Sequence, residues 1–241
     1  MQDKKEKLED FKTAITSTVK SVSNSQNIEV TFGNQSFKSE KNSIKLPSIE
    51  QKSNYLNYEE IRAIADSKSL KLRFSNEKTL KKYEPEGNIS KKLYNVAEKI
   101  RCEKIGSKYF KGIKGNIEKF YNSRILEMDI KKSEDKIVES FENFLRVKFL
   151  EFKNSSEIEK KFKSYKKDLN DQLKDKITEL KGYTLDQEKF NSLVSRLISK
   201  MSLDDRIDEE EKRDDENKND DKQSKPQNDD QNIKEKDDRY E

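Results

Sequence analysis

The chain has 241 residues, of which 30% are hydrophobic and 41% charged, with six glycines and three prolines. That composition disfavours a turn-rich all-β fold and suits an open bundle of helices with narrow apolar stripes. With no histidine and one cysteine, Cys102, the chain holds no Cys/His zinc site, no internal disulfide and no Ser–His–Asp or Cys–His nucleophile.

Leu8, Phe11, Ile15, Val19 and Val22 recur every three or four residues and predict a helix over about 5–23. The segment 27–32 alternates instead, with Ile28, Val30 and Phe32 on one face, as a short strand does. Residues 33–52 read as a polar loop, tacked to the body by Ile44, Leu46 and Ile49 around Pro47. Asn57 and Glu60 have the spacing of a capping pair that opens a helix carrying Ile61, Ile64 and Ala65. Leu70, Leu72, Phe74 and Leu80 are less clearly phased. A second strand over 70–74 would be compatible with them, but helix is the preferred reading.

Pro85 and Gly87 break the chain. Ile89, Leu93, Val96, Ala97 and Ile100 then form a helical stripe, which Gly106 is expected to end or bend. Phe110, Ile113, Ile117, Phe120 and Tyr121 mark the next helix. Residues 133–152 carry Ile137, Phe141, Phe144, Leu145 and Phe149. Residues 156–180 form one long predicted helix with a narrow seam of Ile158, Phe162, Tyr165, Leu169, Leu173, Ile177 and Leu180, spaced as in a coiled coil. Gly182 fits its stop. Thr184 and Gln187 fit the capping box of a last helix that buries Phe190, Leu193, Val194, Leu197, Ile198 and Met201.

From Asp204 onward there are 17 acidic and 9 basic residues, so the net charge of +4 conceals a body of +12 and a tail of −8. The tail has too few apolar side chains to offset its ordering entropy and is expected to be disordered. The expected organisation is therefore a helical domain over 1–203 and an acidic tail over 204–241. The fold class is mainly α, an open multi-helix bundle with a short N-terminal β element. The N-terminus lacks an apolar signal core and no run approaches the length of a membrane span, so a cytoplasmic protein with no membrane partner is expected.

There is no phosphate-binding Gly-x-x-x-x-Gly-Lys-Ser/Thr loop and no Gly-x-Gly-x-x-Gly. No catalytic residue stands out among 48 carboxylates. The most distinctive stretch is 83–120, which holds five of the nine glycines and prolines. Within it Glu98 and Arg101 sit three apart and can pair along one helix flank. Glu103 projects differently, toward another helix or a partner. Gly112 and Gly115 beside Ile113 suggest a close backbone approach or a sharp junction, and Asn116 is placed to bond backbone exposed near Gly112.

These residues, taken in order, resemble the cobaltochelatase CobT subunit family. The resemblance rests on Pro85, Glu86 and Gly87, then Glu98, Arg101 and Glu103, then Gly106, Gly112 and Asn116. Upstream it includes Arg62, Ala65, Asp66 and Ser67, with Ala63 where the family commonly has glycine, and before them Glu29–Phe32 and Leu46–Pro47. It covers roughly residues 8–203, and the acidic run beyond matches the family's acidic linker in position and character. It implies a non-catalytic subunit that couples an AAA+ ATPase subunit (CobS-like) to a large chelatase subunit (CobN-like). That complex uses ATP, magnesium and cobalt to insert the metal into a hydrogenobyrinic acid diamide, and none of these ligands is expected to be bound by this chain.

The family also carries a C-terminal von Willebrand A domain with an Asp-x-Ser-x-Ser metal site. That motif is absent, so a fragment, a split gene or a degraded gene product is expected. The coupling or packing cluster is expected at Glu98, Arg101, Glu103, Gly106, Gly112 and Asn116, with Arg101→Glu weakening ATPase binding without unfolding. Self-association is compatible with this reading. The alternatives are a basic helical nucleic-acid-binding protein and a coiled-coil scaffold. The first draws on the basic body, but lysine, asparagine and isoleucine are all abundant, as AT-rich coding produces, and the aromatic residues sit at core spacing.

Overall fold

A computed structural model describes residues 2–33, 43–49, 51–52, 55–129 and 133–201, all within the first of the two units into which the chain divides, Met1–Asp204 and Asp205–Glu241. The acidic tail expected to be disordered lies outside the described residues. The first unit is mainly helical, with a small β element near its start.

The opening helix α1 (Gln2–Ser23) is followed by β1 (Glu29–Phe32), which pairs in parallel with β2 (Ser43–Leu46), so that Val30 faces Ile44 and Phe32 faces Leu46. A two-residue strand β3 (Gln51–Lys52) pairs antiparallel with β4 (Tyr55–Leu56). The segment expected to be polar loop therefore contains strands. The period-2 signal in β2 is only Ile44 and Leu46 on either side of Lys45, too short to stand out. Ile15, Val19, Ile28, Ile44, Leu46, Ile61 and Ala65 form the core that joins α1, the parallel pair and α2 (Tyr58–Phe74). Burying each of its isoleucine, leucine and valine side chains stabilises by about 1.5–3 kcal/mol.

After α2 comes α3 (Glu77–Lys82), capped by the side chain of Asn76, which accepts from the amides of Lys78 and Thr79. Gly87, with φ of +87°, turns the chain into α4 (Asn88–Tyr109). This is the central helix: it packs on α2, on α5 (Ile113–Glu127), on α6 (Ser133–Leu145) and on α9 (Gln187–Ser199). Its buried residues fall on several sides, among them Leu93, Tyr94, Ala97, Glu98, Ile100, Arg101 and Glu103. A helix enclosed from several directions does not have a single apolar stripe. At Arg146–Leu150 α6 loosens into a π-helical turn that ends at Glu151, a non-glycine residue in the left-handed region (φ 59°).

The predicted long helix over 156–180 is broken at Phe162 into α7 (Ser156–Lys161) and α8 (Lys163–Gly182). Ser155 caps α7 through Ile158 N–H. α7 packs on α5, whereas α8 packs on α6 and α9, and a straight helix does not serve both. The start of α9 is also revised. Asp186, not Thr184, is its cap, accepting from Lys189 N–H. The Thr184 hydroxyl instead donates to the Lys181 carbonyl, and the Gln187 side chain bonds the backbone of Asn76. Asn57 does stand at the start of α2, but its side chain donates to the Ser48 carbonyl and makes no cap bond. Among the described residues no helix is long and apolar enough to cross a membrane.

Candidate functional site

Two buried ion-pair clusters lie along α4. In the first, Glu98 and Arg101 are 0% and 1% exposed. The guanidinium grips the carboxylate with two bonds, Nε to Oε2 at 2.8 Å and Nη2 to Oε1 at 2.7 Å. It also donates through Nη2 to the Phe74 carbonyl at 2.6 Å and through Nη1 to the Thr184 carbonyl at 3.0 Å. Phe74 ends α2 and Thr184 lies in the turn between α8 and α9. One side chain thus ties α4 to two chain turns, using the forked donor geometry that lysine lacks. Burial, and then the adjacent Glu98 charge, push the Cys102 thiol up, so it stays protonated at neutral pH.

The second cluster begins at Glu103, which is 1% exposed. It accepts from Arg146 Nη1 at 2.7 Å and from the Ser67 hydroxyl at 2.6 Å. Arg146 also pairs with Glu142 at 2.7 Å, and Glu142 with Lys99 at 2.7 Å. Arg124 reaches Glu139 through two bonds at 2.9 and 2.8 Å. Burial raises the Glu142 carboxyl, but Lys99, Arg146 and Arg124 outweigh it and hold the group well below the usual carboxylate range. Burial likewise works against the Arg146 charge, and Glu103 and Glu142 more than restore it. Arg146 lies over the Tyr121 ring, 4.7 Å from its centroid. All of these side chains but Glu139 border a cavity of about 250 Å³ between α2, α4, α5 and α6.

Glu98, Arg101 and Glu103 therefore belong to two separate clusters, with Glu103 joined to Arg146 rather than to Arg101. Gly106 does not end its helix. It lies inside α4, where a Cβ would stand 2.2 Å from Leu70 Cδ2, so the close approach is of α2 onto α4. The junction glycine is Gly112, left-handed at φ +94° and heading α5, with open space around its Cβ position. Asn116 does not bond backbone near Gly112 through its side chain. Its amide donates to Asp66 Oδ2 at 2.9 Å. Burial raises the Asp66 carboxyl, opposed by that bond and by Arg62.

The sequence reading missed Lys99, Arg124, Glu139, Glu142 and Arg146. A signal was present: Glu139, Glu142 and Arg146 recur at three- and four-residue spacing beside the apolar stripe of α6, but charges at that spacing on a solvated flank look the same. Among the described residues no three His, Cys, Asp or Glu side chains are grouped to hold a metal ion.

The family model described as "Cobalamin biosynthesis protein CobT" matches residues 5–241. The chain belongs to the CobT family. No curated protein and no solved structure matches it. Membership ties this CobT chain to cobalamin biosynthesis. Two of the segments that carry the family resemblance, 62–67 and 98–116, are brought together in the fold. Ser67 reaches Glu103 and Asp66 receives Asn116, while Gly106 gives α4 the small surface against which Leu70 of α2 packs.

Proposed function

We propose that this CobT chain is a non-catalytic part of an ATP-dependent cobaltochelatase, coupling an AAA+ ATPase subunit to a large metal-inserting subunit. ATP, magnesium, cobalt and the tetrapyrrole are handled by those other chains, and the site of action is the cytoplasm. The observation that carries the reading is the pair of ion clusters on α4. They tie the end of α2, the π-helical turn after α6 and the α8–α9 turn to α4, and the end of α5 to α6, through charge-assisted bonds at 2.6–3.0 Å. Such bonds are short, directional and costly to break once buried. They suit an element that passes on a displacement as a block and makes no chemical bond itself.

The test is reconstitution of the full chain with the AAA+ subunit and the large subunit. Co-elution with the ATPase that depends on ATP, and cobalt insertion that requires all three, are the expected results. A chain that co-elutes with neither subunit in any nucleotide state would rule the proposal out.

A further inference from the structure

On the side of α6 away from the ion clusters lies a larger cleft, about 570 Å³, between α6 with its π-helical turn and α7–α8. That volume falls within the range of small-molecule sites, about 300–1,000 Å³. Its walls are mixed: the edges of the largely buried Phe144, Phe152 and Phe162 and of Val147 alternate with Asn143, Asn154 and Asn170. Its rim is basic: Lys148, Lys163, Lys166 and Lys167 face one carboxylate, Glu159, which pairs with Lys166 at 3.4 Å. Lys163 and Lys167 are exposed and have no ion-pair partner among the described residues.

Two further observations bear on this cleft. Ser140, 3% exposed, stands in its wall with a hydroxyl that has no hydrogen-bond partner among the described residues, and such groups are rare in a finished core. The π turn is an irregularity often found at functional sites. Here its first residue, Arg146, points into the ion cluster, while the next two, Val147 and Lys148, line the cleft. The same irregular turn therefore serves the ion cluster and builds one wall of the cleft.

We infer that this cleft binds a small organic anion with an aromatic body: the ring lies against the phenyl edges and the asparagine amides of the wall, and the acid group meets the lysine rim. Ring–ring contact favours a flat apolar body, and a rim of several lysines against one glutamate favours an anion over a neutral or cationic ligand.

The test uses the full chain and two matched probes, 1-anilinonaphthalene-8-sulfonate and the uncharged N-phenyl-1-naphthylamine, titrated by fluorescence. The expected result is saturable 1:1 binding of the sulfonate. It weakens at least tenfold in the exposed-rim variant Lys163→Glu/Lys167→Glu and is unchanged in the control Lys174→Glu, which lies on the same helix outside the cleft. The uncharged probe is indifferent to both. A bulky Asn170→Trp in the lining blocks both probes, with circular dichroism showing that the helices persist. Sulfonate binding that is unsaturable, or equal in the rim variant and wild type, or undiminished in Asn170→Trp, would overturn the inference. So would capture of an acidic helical peptide by a chain that binds neither probe, which would make the cleft a docking site for a protein segment. None of these outcomes depends on the ATPase or chelatase subunits, so the inference fails or stands apart from the proposed function.

Discussion

Two glycines in neighbouring helices show how the same substitution takes opposite signs. Replacing glycine by alanine inside a helix gains about 1 kcal/mol from propensity. At Gly115 a Cβ meets nothing within 4 Å, the residue is exposed and its φ is ordinary, so Gly115→Ala is expected to stabilise by up to that amount. At Gly106 the new Cβ would stand 2.2 and 2.5 Å from the two methyls of Leu70, a residue that is 0% exposed and has nowhere to go. Overpacking of this kind costs about 1–3 kcal/mol and outweighs the gain. Gly106→Ala is therefore expected to destabilise, and Leu70→Ala to relieve part of the loss in the double variant. Urea midpoints of the four variants check both signs; equal effects at 106 and 115 would refute the packing account.

At the scale of elements, α6 with its π turn owes its seat to charge as much as to its phenylalanines. Glu142 carries the pH dependence of that seat. Its folded carboxyl is held below the ordinary value of 4.5, so its contribution is fully present above pH 4.5 and is lost as pH falls below that value. Unfolding midpoints measured from pH 7 down to pH 3 should fall, and Glu142→Gln should flatten the fall while lowering the midpoint at pH 7. An acid limb as steep in the variant as in wild type would remove Glu142 as its source. Asp66 runs the other way. Its carboxyl is raised in the fold, so stability is lost as pH rises from the ordinary 3.8 through the folded value. Asp66→Asn is expected to raise the midpoint at pH 7 while leaving an amide to receive Asn116. These elements were legible in the sequence where the buried residues form one apolar stripe, as in α1 and α9. They were less so where a helix changes neighbours, as at Phe162, because no glycine or proline marks the break. The pairings of Glu103 with Arg146 and of Asp66 with Asn116 join residues 43 and 50 positions apart. One sequence holds no local signal for contacts set by helix packing.

Taking the helical unit as a whole, Arg101 is the joint between α4 and two distant turns, and this changes what its substitution tests. An exposed Arg101 would let Arg101→Glu probe partner binding alone. The buried one, gripping Glu98 and donating to the carbonyls of Phe74 and Thr184, makes that variant an assault on the fold. It places two carboxylates side by side and strips two carbonyls of their donor. Removing one partner of a buried pair costs about 3–5 kcal/mol and each stranded carbonyl about 1–3 kcal/mol more, a sum comparable with the total stability of about 5–15 kcal/mol of a typical protein, so Arg101→Glu should be largely unfolded at 37 °C. The informative variant is Glu98→Leu/Arg101→Met, which removes both charges and leaves only the two carbonyls unserved, at about 1–3 kcal/mol each. It should fold, with helix content retained by circular dichroism. Its amide hydrogen exchange should quicken at residues 74–76 and 184–187, the two turns that Arg101 holds, and stay slow around Glu103 and Arg146, which have their own network. If coupling to the ATPase depends on a stiff α4 joint, the same variant should lose ATP-dependent association while remaining folded. Exchange unchanged at both turns would mean that packing alone holds them and that Arg101 is not the joint.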